Sequence, residues 1–342
     1  MVLKKQSQDT VLIGVLNQVA LFGHHKPASN YATSLGLIRC IYAEAIEYTT
    51  TPSRNRGLMF LIWGIGCFLM GLIPCGFMWL VLQDELNMRG GVNWFVIFTM
   101  GPMFFLCLAF SFGALLIFGA GEFFRPLDLP IIFDRRRRTV YRMVYEGPLF
   151  GGPGKGRLSV SEYDWNDISA SHAVRVISPG NGVASQKYHS MWLLVCNKRR
   201  NEVSGEICDE NLPSYREEFG FGGFLSLNEH NIPSIWEHLR RYMNENGPAL
   251  PPGEQLADTT VPVTWWDSLG AVSVFGSGYV KRWRSNPILM TFMHVIGPIT
   301  MPLAVLMATT NWASYKTAYP VQWPQEVLDK IGPPVQIGRA HV

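Results

Sequence analysis

At 342 residues the chain is long enough for two or three structural units, each of which must find its own way of burying apolar surface. Its 16% charged residues, against 48% hydrophobic and 13% aromatic, fall below the roughly one quarter that is charged in an average soluble protein, a deficit that points towards lipid. A net charge of +3 is too small to imply a nucleic-acid partner, and six cysteines without CxxC or regular spacing make neither a disulfide framework nor a zinc pattern.

Val11 to Phe22 is a modest apolar run after Lys4-Lys5 that imitates a signal peptide. Asn17 and Gln18 interrupt it, and Gly23-His24-His25-Lys26-Pro27 offers no small-x-small site, so cleavage is not expected. From Tyr31 to Tyr48 the residues Leu35, Ile38, Ile41, Tyr42, Ala45 and Ile46 recur at three- and four-residue steps. That spacing predicts an amphipathic helix, lying on a membrane surface or packed on the later globular unit, within a cytoplasmic N-terminal segment 1–57.

Arg54 and Arg56 precede Leu58 to Leu82, 25 residues without a charge, and Trp94 opens a second uncharged run to Gly121. At about 1.5 Å per residue each exceeds the roughly 30 Å of a hydrocarbon core. Together, 58–82 and 94–121 predict an antiparallel transmembrane hairpin, with Pro74 as a kink and Gly64, Gly66, Gly71 and Gly76 as small faces for close approach. The loop between them, with Asp84, Glu85 and Arg89, sums to minus one, whereas Arg54, Arg56, Arg125 and Arg135 to Arg138 are basic. The positive-inside rule then places the N-terminus and the central domain in the cytoplasm of a bacterial inner membrane.

Residues 125–246 change character to short β-rich runs broken by turns: Leu129 to Asp134, Thr139 to Tyr145, Trp165 to Ile177, Met191 to Asn197 and Glu202 to Cys208, with Lys198-Arg199-Arg200-Asn201 as a hairpin tip. Asn231-Ile232-Pro233 starts a helix in which Ile232, Trp236, Leu239, Tyr242 and Met243 share a face, and Asn246-Gly247-Pro248 stops it. Antiparallel strands closed by one amphipathic helix predict a pleckstrin-homology-like (PH-like) domain, and the chain as a whole an α+β membrane protein. A linker and interfacial segment, 247–286, carries Trp265-Trp266 as an interfacial anchor and Lys281-Arg282-Trp283-Arg284 as a basic flank. Pro287 to Thr310 is uncharged and long enough for a third membrane segment leading outward, while Pro298 and Pro302 permit a re-entrant one. The tail 311–342 is then expected to be periplasmic. Its last six residues, Ile337 to Val342, match one translation of a common short-read sequencing adapter and are expected to be artefactual.

No stretch carries a catalytic, cofactor or metal pattern. Gly151-Gly152-Pro153-Gly154-Lys155-Gly156-Arg157 departs from a phosphate loop, because Leu149 and Gly156 stand where a glycine and a Ser/Thr are required; it suits a flexible loop between strands. His294 is the one titratable group in its apolar run and, without an acidic companion, is expected to hydrogen-bond within a helix bundle. The remaining candidates are lipid contacts. Arg135, Arg136, Arg137 and Arg138, held near a leaflet, would attract anionic headgroups at about 1 kcal/mol each, and Lys281, Arg282 and Arg284 would flank the third segment.

Phe133-Asp134-Arg135-Arg136-Arg137-Arg138-Thr139-Val140-Tyr141-Arg142, followed by Asp164-Trp165-Asn166-Asp167-Ile168 and the Trp236-to-Met243 helix, resembles an uncharacterised proteobacterial membrane family over roughly residues 50–310. Its members carry a transmembrane hairpin before a cytoplasmic β-rich domain and are often encoded near type VI secretion genes. The resemblance implies no activity and no catalytic residues. It implies a secretion-linked accessory role and nothing mechanistic; the reading of the whole chain is a non-enzymatic accessory or scaffold protein that docks a protein partner, a secretion-system or envelope component, or membrane lipid. The alternatives are an immunity protein neutralising a secreted toxin and a transporter or channel component, although the latter would call for intramembrane charges that the spans lack.

Overall fold

The computed structural model describes residues 16–50, 56–89, 94–147, 156–177, 186–196, 215–221 and 228–335. In chain order these form β1 (Leu16–Phe22), β2 (Ile38–Ile41), β3 (Ala45–Tyr48), α1 (Gly66–Arg89, entered through a π-helical turn Phe60–Ile65) and α2 (Trp94–Glu122). Then come β4 (Ile131–Asp134), β5 (Thr139–Glu146), β6 (Arg157–Asp164), β7 (Ile168–Ile177), β8 (Gln186–Cys196) and β9 (Tyr215–Phe221). Five helices complete the chain: α3 (Asn231–Glu245), α4 (Trp265–Val272), α5 (Tyr279–Ser285), α6 (Pro287–Lys316) and α7 (Gln325–Ile331). The fold is mixed α+β. The expected adapter-derived residues, the Lys198 hairpin tip and the strand Glu202 to Cys208 lie outside the described residues.

One sheet has the order β2-β3-β4-β5-β6 and the other β1-β7-β8-β9, with every neighbouring pair antiparallel. The expected strand Leu129 to Asp134 is present as the shorter Ile131–Asp134 and Thr139 to Tyr145 as Thr139–Glu146, while β1, β6 and β9 had no expectation. Between the sheets lies one apolar core, in which Ile38, Ile46, Tyr48, Ile131, Phe133, Trp165, Met191, Leu193 and Phe221 meet Ile232, Ile235, Trp236, Leu239 and Tyr242 of α3. α3 keeps its expected start and stop: its last turn ends at Asn246, whose left-handed backbone returns an N–H to Arg241 O.

The expected amphipathic helix over Tyr31 to Tyr48 is instead the strand pair β2 and β3, closed by Tyr42 N–H donating to Ala45 O. The cause is a bulge between Ile38 and Cys40, which brings Ile38 and Ile41, three residues apart, onto the same core face and so imitates a helical step. Residues 16–48 therefore belong to the β-rich unit rather than to a separate segment. Tyr48 pairs with Ile131, Glu47 with Ile132 and Ile46 with Phe133, so that β3 and β4 are hydrogen-bonded neighbours although α1 and α2 lie between them in the chain. Both faces of these two strands are buried. Ile46, Tyr48, Ile131 and Phe133 face the main core, whereas Ala45 and Ile132 face Val327 and Ile331 of α7.

Among the described residues, three helical stretches are long and apolar enough to cross a membrane: Phe60–Val81, Phe98–Glu122 and Pro287–Lys316, of 22, 25 and 30 residues. α1 and α2 pack antiparallel: Trp63 stacks near Phe118, Phe68 meets Phe112 edge-on and the Cys75 thiol reaches Phe104 O. Of the four glycines expected to permit close approach, Gly71 sits against Ser111 and Gly64 against Phe60 and Phe118, while Gly66 and Gly76 face open space. The tail beyond Asn311 does not lead away from the domain. Tyr319 N–H donates to Arg125 O, Pro126 and Tyr319 form a parallel bridge, and Trp323 Nε1–H donates to the buried Glu47. α7 then returns the chain to the sheet because Val327 and Ile331 have apolar surface to bury there. Cys40, Cys67, Cys75 and Cys107 are free thiols and Cys196 is disulfide-bonded, its partner lying outside the described residues.

Candidate functional site

The polar groups that converge most closely are those where the apolar helices enter and leave the β-rich unit. Arg56 precedes the first apolar helix; its Nε donates to Ser314 Oγ at 3.0 Å, Nη1 to Pro126 O at 2.9 Å, and Nη2 to Glu122 O at 3.0 Å and Arg125 O at 3.3 Å. Gly57 N–H donates to Glu122 Oε2 at 2.8 Å, and Asn311 Nδ2 donates to Arg56 O at 2.9 Å. One guanidinium thus caps carbonyls that the end of α2 would otherwise leave orphaned, and it does so mostly buried. Burial pushes this guanidinium down from its ordinary pKa, with the Glu122 carboxylate acting in the opposite sense. Gly57 has φ +83°, and a Cβ there would lie 2.6 Å from the Thr310 carbonyl, so only glycine lets α6 approach this closely.

A second polar knot fixes the neighbouring strands. Asp128 accepts from Thr49 Oγ1 at 2.5 Å, from Thr50 N–H at 3.0 Å and from Leu129 N–H at 2.8 Å, joining the end of β3 to the start of β4. The two knots make a rigid joint between helices and sheet.

The arginine turn lies elsewhere. Arg135 Nε is 2.5 Å from Glu44 Oε2 and its guanidinium lies over the Tyr242 ring at 5.1 Å. Arg137 pairs with Asp134 at 3.4 Å and donates to Lys330 O. Arg138 donates to Met243 O at 2.7 Å and to the side-chain oxygens of Asn244 and Asn166, both at 2.8 Å. It does so from a left-handed backbone, φ +55°, where a hairpin turn usually carries glycine. Arg136 alone points into solvent without a hydrogen bond or ion pair among the described residues. β5 runs from this turn to Tyr145, which lies by Arg125 and Tyr319 at the joint. Six residues of strand at about 3.4 Å each put the turn about 20 Å from the joint, beyond the roughly 8 Å over which salt leaves exposed charges coupled. Arg135, Arg137 and Arg138 thus form a clasp between β4, β5, α3 and the tail, and Arg136 is left exposed at its tip.

Of the basic flank, Lys281 and Arg284 are exposed on α5, whereas Arg282 points inward, Nε donating to Val274 O at 3.0 Å and Nη2 to Ser277 O at 2.5 Å. His294 is hydrogen-bonded in its bundle as expected: Nε2 lies 2.9 Å from Tyr279 Oη and Nδ1 2.6 Å from Met290 O, with the Phe275 and Trp283 rings edge-on. Trp265 Nε1–H donates to Thr309 Oγ1 at 3.1 Å. A polar pocket of about 610 Å³ lies between the linker, α4 and α6, lined by Asp258, Thr260, Asp267, Ser277, Arg282 and Tyr315. Its two carboxylates accept from the neighbouring threonines Thr260 and Thr264. Among the described residues no group of three or more His, Cys, Asp or Glu is placed to hold a metal ion.

The sequence reading missed three arrangements. Arg56 and Glu122 could have been found, since each brackets an uncharged run on the same flank. Glu237 is fully buried on α3 and accepts from Arg240, Arg241 and Ala28 N–H. His24 packs between Trp165, centroids 4.7 Å apart, and Trp236 at 5.6 Å, with its ring nitrogens shielded from solvent near the Ile168 backbone. Glu237 has Arg240 and Arg241 at the helical i,i+3 and i,i+4 spacings, a cue present in the sequence, whereas its bond from Ala28 and the packing of His24 on Trp165 and Trp236 join residues more than a hundred positions apart.

No curated protein and no solved structure matches this chain. Residues 106–331, from the middle of α2 to the last residue of α7, match the model of a family of unknown function (DUF6708), and the chain belongs to that family.

Proposed function

We propose that this is a non-enzymatic membrane accessory protein, a scaffold that holds a β-rich docking domain against a bilayer. One observation carries the reading: the pair of apolar helices is spliced between β3 and β4, and Arg56 ties the end of α2 and the end of α6 to the segment that leads into β4. A tether alone would need one helix and a flexible linker. A joint with a buried guanidinium and a fixed strand register transmits position and orientation. The order of the sheets, an antiparallel meander followed by a second one and a core helix, supports a PH-like domain, from which β1 on the outer edge of the second sheet departs. The resemblance to a proteobacterial membrane family supports a link to type VI secretion, with a secretion-baseplate or envelope protein as the partner.

The side of the membrane separates two readings. In sequence, Arg54, Arg56 and Arg125 flank the apolar runs and support a cytoplasmic placement of the domain at the inner membrane. The disulfide at Cys196 favours an oxidising compartment, and with it the second reading, an immunity protein that meets its toxin in the periplasm. Carbonate-washed membranes from cells expressing a tagged chain, alkylated before lysis and then affinity-purified, test both. Retention in the membrane with secretion-system or envelope components supports the scaffold. Recovery of a single toxin, together with loss of protection on deletion and unchanged secretion, would replace it with the immunity reading.

A further inference from the structure

Three ends of apolar helices meet at the joint: the start of the first at Arg56, the end of α2 at Glu122 and the end of α6 at Asn311 and Ser314. The chain that leads into α6 starts from the same face. Ala257 N–H donates to Ile38 O at 2.6 Å, and Trp265 lies against Thr309 near the end of α6. α6 has 30 residues, about 45 Å, so its first residue stands one bilayer away from its last. If α6 crosses, the 22 residues from Trp265 to Asn286 must cross first in the opposite sense.

Their contacts follow that path. Trp265 meets Thr309, Phe275 packs on Gly297, and Tyr279 and Trp283 pack on His294, successively nearer the start of α6. The 13 residues Ser268 to Val280 are uncharged, with Asp267 at one end and Lys281 at the other. Trp265 and Trp266 at one boundary and Trp283 at the other stand where amphipathic rings favour a membrane interface. The stretch between α4 and α5 is not helical, which a bilayer tolerates only where the backbone is satisfied within the protein. Here Arg282 donates to Val274 O and Ser277 O, Ser277 N–H donates to Trp266 O, and Phe275 N–H donates to Ser273 Oγ.

We infer that residues 265–285 form a fourth, broken crossing beside α6, so that α5 with Lys281 and Arg284 emerges on the face of the bilayer opposite the β-rich unit. This rests on the membrane reading above. The test uses full-length chains carrying Ser285→Cys, Arg284→Cys or, as a reference on α7, Glu326→Cys, each compared with the parent for labelling above its native cysteines. A membrane-impermeant maleimide is applied to intact spheroplasts and to inverted vesicles, before and after detergent. Both α5 sites are expected to label only from the face opposite Glu326→Cys, with at least tenfold selectivity. Labelling of both α5 sites from the same face as Glu326→Cys, or only after detergent, overturns the inference while leaving the protein in the membrane. Release of the parent chain by carbonate washing overturns the membrane reading as well, so the two failures are distinguishable.

Discussion

Replacing Glu237 by Gln probes how α3 holds the chain that precedes it. The Glu237 carboxylate is fully buried; Oε1 accepts from Arg240 Nη2 at 2.8 Å and Arg241 Nε at 2.6 Å, and Oε2 from Arg240 Nε and from Ala28 N–H, both at 3.0 Å. Burial alone would raise its pKa, but Arg240, then Arg241 and the Ala28 amide, outweigh it and hold the group at about 2. Because the folded value lies below the unfolded one, the stabilisation is fully present above about pH 4.5 and is lost as pH falls through about 2. That difference is worth about 3 kcal/mol at neutral pH. Gln keeps the shape but turns one acceptor into a donor facing Arg240, whose remaining acidic partner is Glu245 at 2.7 Å. The variant is expected to lose about 3 kcal/mol at pH 7, and its deficit to shrink as the parent is acidified from pH 5 towards 2. Urea unfolding of the full chain in detergent, followed by fluorescence of the buried Trp165 and Trp236, reads both quantities. A loss below about 1 kcal/mol at pH 7, or a deficit that does not close in acid, would refute the reasoning.

Gly57→Ala forces a Cβ onto the Thr310 carbonyl from a left-handed backbone and should cost about 2 kcal/mol or more, read as a lower thermal midpoint of the detergent-solubilised chain. Arg138→Ala, which strips three hydrogen bonds between the turn, α3 and Asn166, should destabilise by about 1–3 kcal/mol in the same assay, while Arg136→Ala leaves the midpoint where it was. Equal effects of the two would contradict a clasp. Burial pushes His24 below its ordinary 6.5 against an opposing backbone hydrogen bond at Ile168, with Arg138, His25 and Arg240 adding to the lowering, so the folded state loses stability as pH falls below about 6.5. His24→Phe should keep the contacts with Trp165 and Trp236 and flatten the stability profile between pH 7 and 5; an unchanged profile assigns that slope to other groups.

The apolar helices were legible because lipid solubility is a property of composition over some twenty residues, and α3 because its caps and its apolar stripe are local. The strands on either side of the arginines were legible for the same reason. The N-terminal strands were not: in β2 a bulge converts a period of two into a step of three, and no local cue separates that from a helix. The arginine turn was legible only in part. Four consecutive charges look like a surface ligand site, yet three of them find acceptors on α3, on the tail and at Glu44, which only the fold brings within reach. The joint was half visible, in the charges that bracket the spans, but the role of Ser314 and Asn311 depends on α6 returning to the domain.

The splice between β3 and β4 also has a consequence for biosynthesis. Residues 49–130 separate two strands that must pair, and closing a flexible loop of that length would cost about 4 kcal/mol in chain entropy. On the membrane reading proposed above, insertion of both helices would bring Arg56 and Glu122 together and remove most of that cost before the sheet forms. A chain that fails to insert is left with β2 and β3 as an isolated pair and an unpaired edge where β4 belongs, a form prone to aggregation and proteolysis. Completion of the β-rich unit would then act as a checkpoint on membrane insertion, so that surviving folded domains are those already anchored.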